Sequence, residues 1–305
     1  MLRVFIDGHT AAATKPKSSS DSFIVRLIEI ANNQSVEIVD DIKKSDLILL
    51  YPFLSKKIRL KIKLKKELKR DRAFNRFFSK ETDVRDIMGY PHKNVLAIAH
   101  ENLDSRWWGW FRDFIVEYEI PRLTFWPKEL DPLGCRFPYW WNYADFPEID
   151  LDDKCYTRYG KKIELEKLLK PLDPHMKGLD KVCFLQRHMI FPRNFQISQL
   201  ESYKPVDIYM APDNPWPDDK NSLLKKYNYT FCSENSAGYG YETEKLPEVW
   251  SSGCIPLGYI KNPMGDFTNA LFTNSVIDQT RLTSHPLLTE KPSLVELKKF
   301  LKTFF

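Results

Sequence analysis

The greatest concentration of side chains able to do chemistry lies in residues 231–259, which read FCSENSAGYGYETEKLPEVWSSGCIPLGY. An apolar run, two glycines (Gly238 and Gly240) and a helical pattern follow one another there. The helix is predicted to begin near Thr243, a favoured N-cap residue, and to end at Gly253. Glycine lets the backbone approach a ligand closely, and the free N–H groups of a helix start attract anions. The pattern therefore predicts a strand, a glycine loop and a helix that bind a diphosphate. The same spacing fits equally well a glycine-rich turn with a surface ion pair.

Two charged residues at the predicted helix start could bind different parts of a nucleotide, the phosphates and the ribose. Lys245 offers a mobile positive charge to phosphate, and the carboxylate of Glu244 accepts hydrogen bonds from two ribose hydroxyls. Pro247 fits the first turn, where N–H groups have no partner within the helix.

A second candidate precedes this segment by more than a hundred residues. Val95–Ala99 reads as a strand and runs directly into His100-Glu101-Asn102. Ligands of open α/β sheets bind at the carboxyl ends of strands, so Glu101 is predicted to face a ligand. The following stretch, 107–146, contains six tryptophans, which fit either core packing or a surface on which sugar rings stack.

The 231–259 segment and Glu101 both lie in a chain of short strands that alternate with helical patterns. Strands are predicted at 2–6, 36–39, 47–51, 95–99, 181–185, 207–210 and 229–232, and helices at 21–32, 193–202 and 222–226. This alternation is typical of parallel, doubly wound α/β sheets. Residues 146–180 are rich in charge and proline and are predicted to connect two domains.

The 231–259 segment resembles the donor motif of the alpha-1,3-fucosyltransferases. The resemblance rests on Glu234-Asn235-Ser236, Gly238-Tyr-Gly-Tyr241, Thr243-Glu244-Lys245, Ser252-Gly253-Cys254-Ile255-Pro256 and Gly258. Weaker agreement is found at 100–102, at Arg136-Phe137-Pro138 and at 191–194. The chain departs from the family at His100, where a glycine is expected, and at Pro247, where the helix is usually continuous.

The resemblance implies a GT-B fold with two Rossmann-like domains facing a cleft. Residues 1–145 would bind the acceptor, 146–180 would be the linker, and 181–305 would bind the nucleotide sugar. The C-terminal helix would be free to pack back on the first domain.

The resemblance also implies transfer of L-fucose from GDP-beta-L-fucose to a glycan hydroxyl, with inversion, giving an alpha-1,3 or alpha-1,4 fucoside. Glu101 would be the general base, because an acceptor hydroxyl is a poor nucleophile near neutral pH. The donor-binding residues implied are Arg193, Asn235, Tyr241, Glu244 and Lys245. Arg193 and Lys245 would neutralise the diphosphate, so no metal and no cofactor is expected. Asp150-Leu151-Asp152 mimics a metal-binding DxD motif but lies in the predicted linker.

Composition limits the class of partner. A net charge of +5 is too small by itself to indicate a nucleic-acid protein. Five cysteines without a CxxC pair, and no signal-peptide pattern, favour a reduced cytoplasmic protein. The basic run 56–75 fits either a solvated helix face or a peripheral contact with a membrane.

The acceptor implied by the resemblance contains beta-linked N-acetylglucosamine, in lipopolysaccharide or in a glycoprotein. Two alternatives stay open. The chain could transfer another GDP-linked deoxysugar, or it could be a non-catalytic module that binds glycan or nucleic acid.

Overall fold

The computed structural model describes most of the chain. The described residues are 1–7, 22–53, 94–99, 101–151, 161–173, 178–185, 193–202, 204–210, 219–232, 234, 238–257, 264–267 and 285–304, with only the backbone described at 193 and 194. Contacts within the chain divide it into two compact units. The first comprises 1–137 and 294–305, and the second comprises 138–293.

The first unit is built on a six-stranded parallel sheet. Its strands are β1 (Leu2–Asp7), β2 (Val36–Ile38), β3 (Leu47–Leu50), β4 (Asn94–Ile98), β5 (Arg122–Thr124) and β6 (Gly134–Arg136), in the order β2-β1-β3-β4-β5-β6. Every side chain of β3 is buried, as expected for a strand covered on both faces. The predicted strands at 2–6, 36–39, 47–51 and 95–99 are confirmed to within two residues at each end.

The described residues of this unit form three α-helices: α1 (Phe23–Asn32), α2 (Gly109–Glu117) and α7 (Val295–Leu301). Ser22 caps α1 through its side chain, and Asn33 ends it in the left-handed conformation. The C-terminal helix α7 contacts α1 and β6. The end of the chain therefore belongs to the first unit.

A buried ion pair fixes the loop between β5 and β6. Arg122, only 5% exposed, donates to both carboxylate oxygens of Asp131, which is 1% exposed. The guanidinium also donates to the carbonyls of Ile115 and Ile120, so it joins the end of α2 to the loop. Gly134 approaches so closely that a Cβ there would lie 2.1 Å from Asp131 Oδ2.

The second unit is built on a four-stranded parallel sheet. Its strands are β7 (Leu179–Leu185), β8 (Val206–Tyr209), β9 (Tyr227–Phe231) and β10 (Ile255–Leu257), in the order β10-β9-β7-β8. Its helices are α3 (Leu165–Leu168), α4 (Arg193–Glu201), α5 (Lys220–Leu224) and α6 (Lys245–Ser251). The predicted α/β class with parallel sheets is confirmed.

The predicted linker contributes to the core of the second unit. Ile149, Leu151, Ile163, Leu165 and Leu168 are all buried. Backbone carbonyls of this stretch also accept hydrogen bonds from distant residues of the same unit, Trp250 and Leu288. The contact-based units therefore have other bounds than the predicted domains, and the assignment of one domain to acceptor and one to donor stays a prediction.

Candidate functional site

Strand order brings two predicted donor segments to one place in the second sheet. From β7 the chain moves to β8 on one side, and then to β9 on the other side of β7. The connections after β7 and β9 therefore leave neighbouring strands in opposite directions, which is the switch point where ligands bind in such sheets. Helix α4 begins with Arg193 after β7, and the glycine loop follows β9.

The glycine loop has the backbone conformation that its sequence predicts. Gly240 has a φ of 72°, in the left-handed region. Gly253, with a φ of 83°, follows α6, as predicted for the residue that ends this helix. The predicted N-cap at Thr243 is wrong, because Glu244 occupies that position and its side chain makes no capping bond. Thr243 instead donates hydrogen bonds to Glu234.

A carboxylate from the end of β9 holds the loop together. Glu234 Oε1 accepts hydrogen bonds from Thr243 N and Thr243 Oγ1, both at 2.8 Å. Glu234 Oε2 lies 2.9 Å from the ammonium of Lys245, which also donates to Thr243 Oγ1 at 3.0 Å. These bonds span nine to eleven residues of sequence and close the loop over its own start.

Lys245 is anchored rather than mobile. Its side chain is 17% exposed, and that of its partner Glu234 is 13% exposed. The sequence left open an ion pair on the surface of this turn. The structure has an ion pair there, between Lys245 and Glu234, but it is mostly buried within the predicted phosphate site. Sequence reasoning missed the role of Glu234, although its position just after a strand was the available signal.

The residues of this loop differ in exposure. Tyr241 is buried, with 4% exposure, whereas Tyr239 is 56% exposed. Glu244 is half-buried at the start of α6. Of the two tyrosines, only Tyr239 presents most of its ring to solvent.

A buried ion pair beneath the loop was not predicted. Lys220 of α5 donates to Glu248 of α6, whose side chain is 1% exposed. Burial raises the pKa of Glu248 to about 7, although the nearby Lys220 acts in the opposite direction. The pair ties α5 to α6 and so supports the helix that carries Lys245.

Glu242 provides a second hidden support. Its carboxylate is 1% exposed and accepts a bond from Asp266 N at 2.6 Å. Asp266 in turn accepts from Trp140 Nε1 at 2.8 Å. A Cβ on Gly265 would lie 1.9 Å from Glu242 Oε1, so a side chain there would displace the carboxylate. The loop between Tyr241 and Thr243 is thereby fixed to residues 264–267.

In the first unit, Glu101 follows β4 after the buried Ala99 and is half-buried. The turn after it is held by Asn102, whose side chain accepts from Asp104 N at 3.0 Å. This agrees with the predicted position at the carboxyl end of a strand. The tryptophans of 107–146 differ in exposure. Trp140 is fully buried and belongs to the core, whereas Trp107 is 68% exposed, with the guanidinium of Arg106 over its ring.

Several predicted features lie outside the described residues. They are His100, Asn235, Asp152, the side chain of Arg193 and the basic run 56–75. Across the described part of the chain, no group of three or more His, Cys, Asp or Glu side chains could hold a metal ion. None of the described helices is long and apolar enough to cross a bilayer.

Comparison with known proteins identifies solved structures of similar fold. No protein-family model matches the chain. A solved alpha1,3-fucosyltransferase superposes with a TM-score of 0.62 at 17% identity, covering 99% of this chain and 89% of the other. The chain has the fold of the alpha-1,3-fucosyltransferases. Structures of such an enzyme with GDP and with GDP-fucose give TM-scores of 0.58 and 0.57, both at 16% identity, and cover 99% of this chain and 89% and 90% of theirs.

A sequence relative supports the same resemblance over a short stretch. The alpha-(1,3)-fucosyltransferase FucT of Helicobacter pylori is 40% identical over 58 residues. The matched stretch spans 18% of this chain and 12% of that relative's length. The predicted resemblance to alpha-1,3-fucosyltransferases is confirmed, in fold over the whole chain and in sequence over this stretch.

Proposed function

We propose that the chain is a glycosyltransferase that moves L-fucose from GDP-beta-L-fucose to a glycan hydroxyl, forming an alpha-1,3 or alpha-1,4 fucoside with inversion. The observation that carries the proposal is the strand–loop–helix segment at the switch point of the second sheet, where Lys245 is held beside a glycine loop. A similar fold in a solved complex with GDP-fucose supports the choice of donor.

The residues divide the chemistry between them. GDP leaves with growing negative charge, which a fixed ammonium stabilises better than water does. Lys245 and Arg193 would meet the diphosphate, Glu244 the ribose, and Asn235 and Tyr241 the fucose or the diphosphate. Because Tyr241 is buried, it would act through its hydroxyl or by shaping the loop, not by stacking. Glu101 would take the proton of the acceptor hydroxyl.

The acceptor and the place of action belong to the same proposal. We expect a glycan that contains N-acetylglucosamine, in lipopolysaccharide or on a protein, reached in the cytoplasm with peripheral membrane contact through 56–75. A transferase for another GDP-linked deoxysugar is the second candidate, because the choice between sugars would depend on the loop around Tyr239 and Tyr241, in which Tyr239 is exposed.

GDP should stabilise the protein, and UDP and ADP should do so much less. A ligand that binds only the folded state at about 100 times its Kd stabilises it by about 2.7 kcal/mol. Thermal melts with each nucleotide measure this. Lys245→Met should lose most of the shift, because it removes a charged contact to phosphate, whereas Lys225→Met, at an exposed lysine of the same unit, should keep it. Equal stabilisation by UDP would rule out a guanine-specific donor.

Transfer should continue in EDTA, because Lys245 and Arg193 supply the positive charge that a divalent ion gives other transferases. Product formation from GDP-fucose and a panel of glycans would be compared with and without chelator. Loss of transfer in EDTA, restored by magnesium or manganese, would contradict this and direct attention to Asp150 and Asp152.

A further inference from the structure

The contacts of Glu234 have a consequence for the affinity of the donor site. The ammonium proposed to meet the diphosphate lies 2.9 Å from a carboxylate, and both side chains are more than four-fifths buried. Any phosphate that reaches Lys245 therefore also approaches a negative charge. Two like charges brought together in a largely buried site repel strongly, because little water screens them.

We propose that Glu234 is a counter-charge to Lys245 that weakens the hold of the site on diphosphate and so speeds the release of GDP. This inference rests on the proposed function. In this structure the carboxylate holds Lys245. When a diphosphate binds, the ammonium is shared between the carboxylate and phosphate or passes to phosphate. After transfer, Glu234 competes for the ammonium again and the product nucleotide leaves.

The other bonds of Glu234 separate this role from simple support of the loop. Oε1 accepts from Thr243 N and from Thr243 Oγ1, which lies 2.8 Å from Oε2 as well, and a glutamine amide oxygen can accept the bonds made to Oε1. The amide nitrogen of glutamine would then face the ammonium, and two donors repel each other. Glu234→Gln should thus preserve the loop while turning Lys245 toward an incoming phosphate.

A role limited to positioning predicts the opposite result. If Glu234 only ordered the Lys245 side chain, its loss would free a rotamer-rich side chain and weaken phosphate binding. Repulsion of a diphosphate with two or more negative charges is the larger of the two effects, because it acts on every phosphate charge within a few ångströms. The sign of the change in GDP affinity therefore decides between the two.

Isothermal titration of wild type, Glu234→Gln and Glu290→Gln with GDP and with guanosine tests the inference. Glu290 is an exposed carboxylate of the same unit, so its variant removes one charge without touching the loop. Glu234→Gln should bind GDP about 10-fold tighter, an increase that shrinks in high salt, and should bind guanosine unchanged. Steady-state assays should show stronger product inhibition by GDP and a lower kcat.

The outcomes distinguish failure of the counter-charge role from failure of the proposed function. If wild type binds GDP but Glu234→Gln binds it equally or more weakly, the counter-charge role is wrong and the proposed function stands. If guanosine tightens as much as GDP, the change is in the shape of the pocket and the counter-charge role is again wrong. If wild type binds no guanine nucleotide at millimolar concentration, the proposed function fails and this inference fails with it.

Discussion

Replacing Asp131 with Asn should lower the free energy of unfolding by about 3 to 5 kcal/mol, the usual cost of removing one partner from a buried ion pair. Asn has almost the same size, so the loss comes from charge rather than from a cavity. It leaves the guanidinium of Arg122, at 5% exposure, beside two backbone carbonyls without a neutralising carboxylate. Urea unfolding followed by tryptophan fluorescence measures the change.

The same sheet contains a matched control. Arg3 and Asp46 form a pair of the same residue types at 2.8 Å, with side chains 45% and 38% exposed. Water already solvates these charges, so Asp46→Asn should change stability only slightly. Equal losses for Asp46→Asn and Asp131→Asn would show that burial does not govern the strength of these pairs. Gly134→Ala should reproduce the large loss, because its Cβ would displace the Asp131 carboxylate.

Features encoded within a few residues could be predicted from the sequence. The apolar run of β3, the helix α1 with its Ser22 cap and the glycine that ends α6 each have a local cause. The strand–loop–helix order of the donor segment is local in the same way. Propensity, capping and glycine conformation act over one or two turns of chain, so a single sequence contains their signal.

Features that depend on contacts across the fold could not be predicted. Glu248 reads as an ordinary helix residue, but the sheet brings Lys220 to it across 28 positions. Glu242 was assigned no role, because its partner Asp266 lies 24 residues later. The contacts of the predicted linker have a similar cause, because the carbonyl of Leu168 accepts a hydrogen bond from the N–H of Leu288, which is distant in sequence.

The misplaced cap at Thr243 shows how long-range contacts change a local rule. Thr is a favoured N-cap, yet both its N–H and its hydroxyl donate to Glu234. A hydroxyl that donates to a carboxylate keeps the loop closed, and the helix begins one residue later without a side-chain cap. The helix therefore lacks a side-chain capping bond, whereas Lys245 is held in place by Glu234 and Thr243.

Glu101 should be the residue whose loss most reduces transfer. Replacing it with Gln keeps the size and the hydrogen-bonding oxygen but removes the ability to accept a proton from the acceptor hydroxyl. General-base catalysis contributes about 100- to 10,000-fold, so initial rates with GDP-fucose and acceptor should fall by at least about 100-fold. GDP affinity should barely change, because Glu101 belongs to the first unit and the proposed donor residues to the second.

The position of Glu101 is the physical ground for this expectation. It follows the buried end of β4 and is itself half-buried, and the turn behind it is held by the side chain of Asn102. A carboxylate on a fixed turn keeps the distance that proton transfer needs, whereas an exposed side chain would not. Glu117→Gln removes an exposed carboxylate at the end of α2 in the same unit and should leave the rate within about two-fold. If Glu101→Gln turned over at a near-normal rate while bound GDP was unchanged, another residue would be the base and Glu101 would serve only the turn.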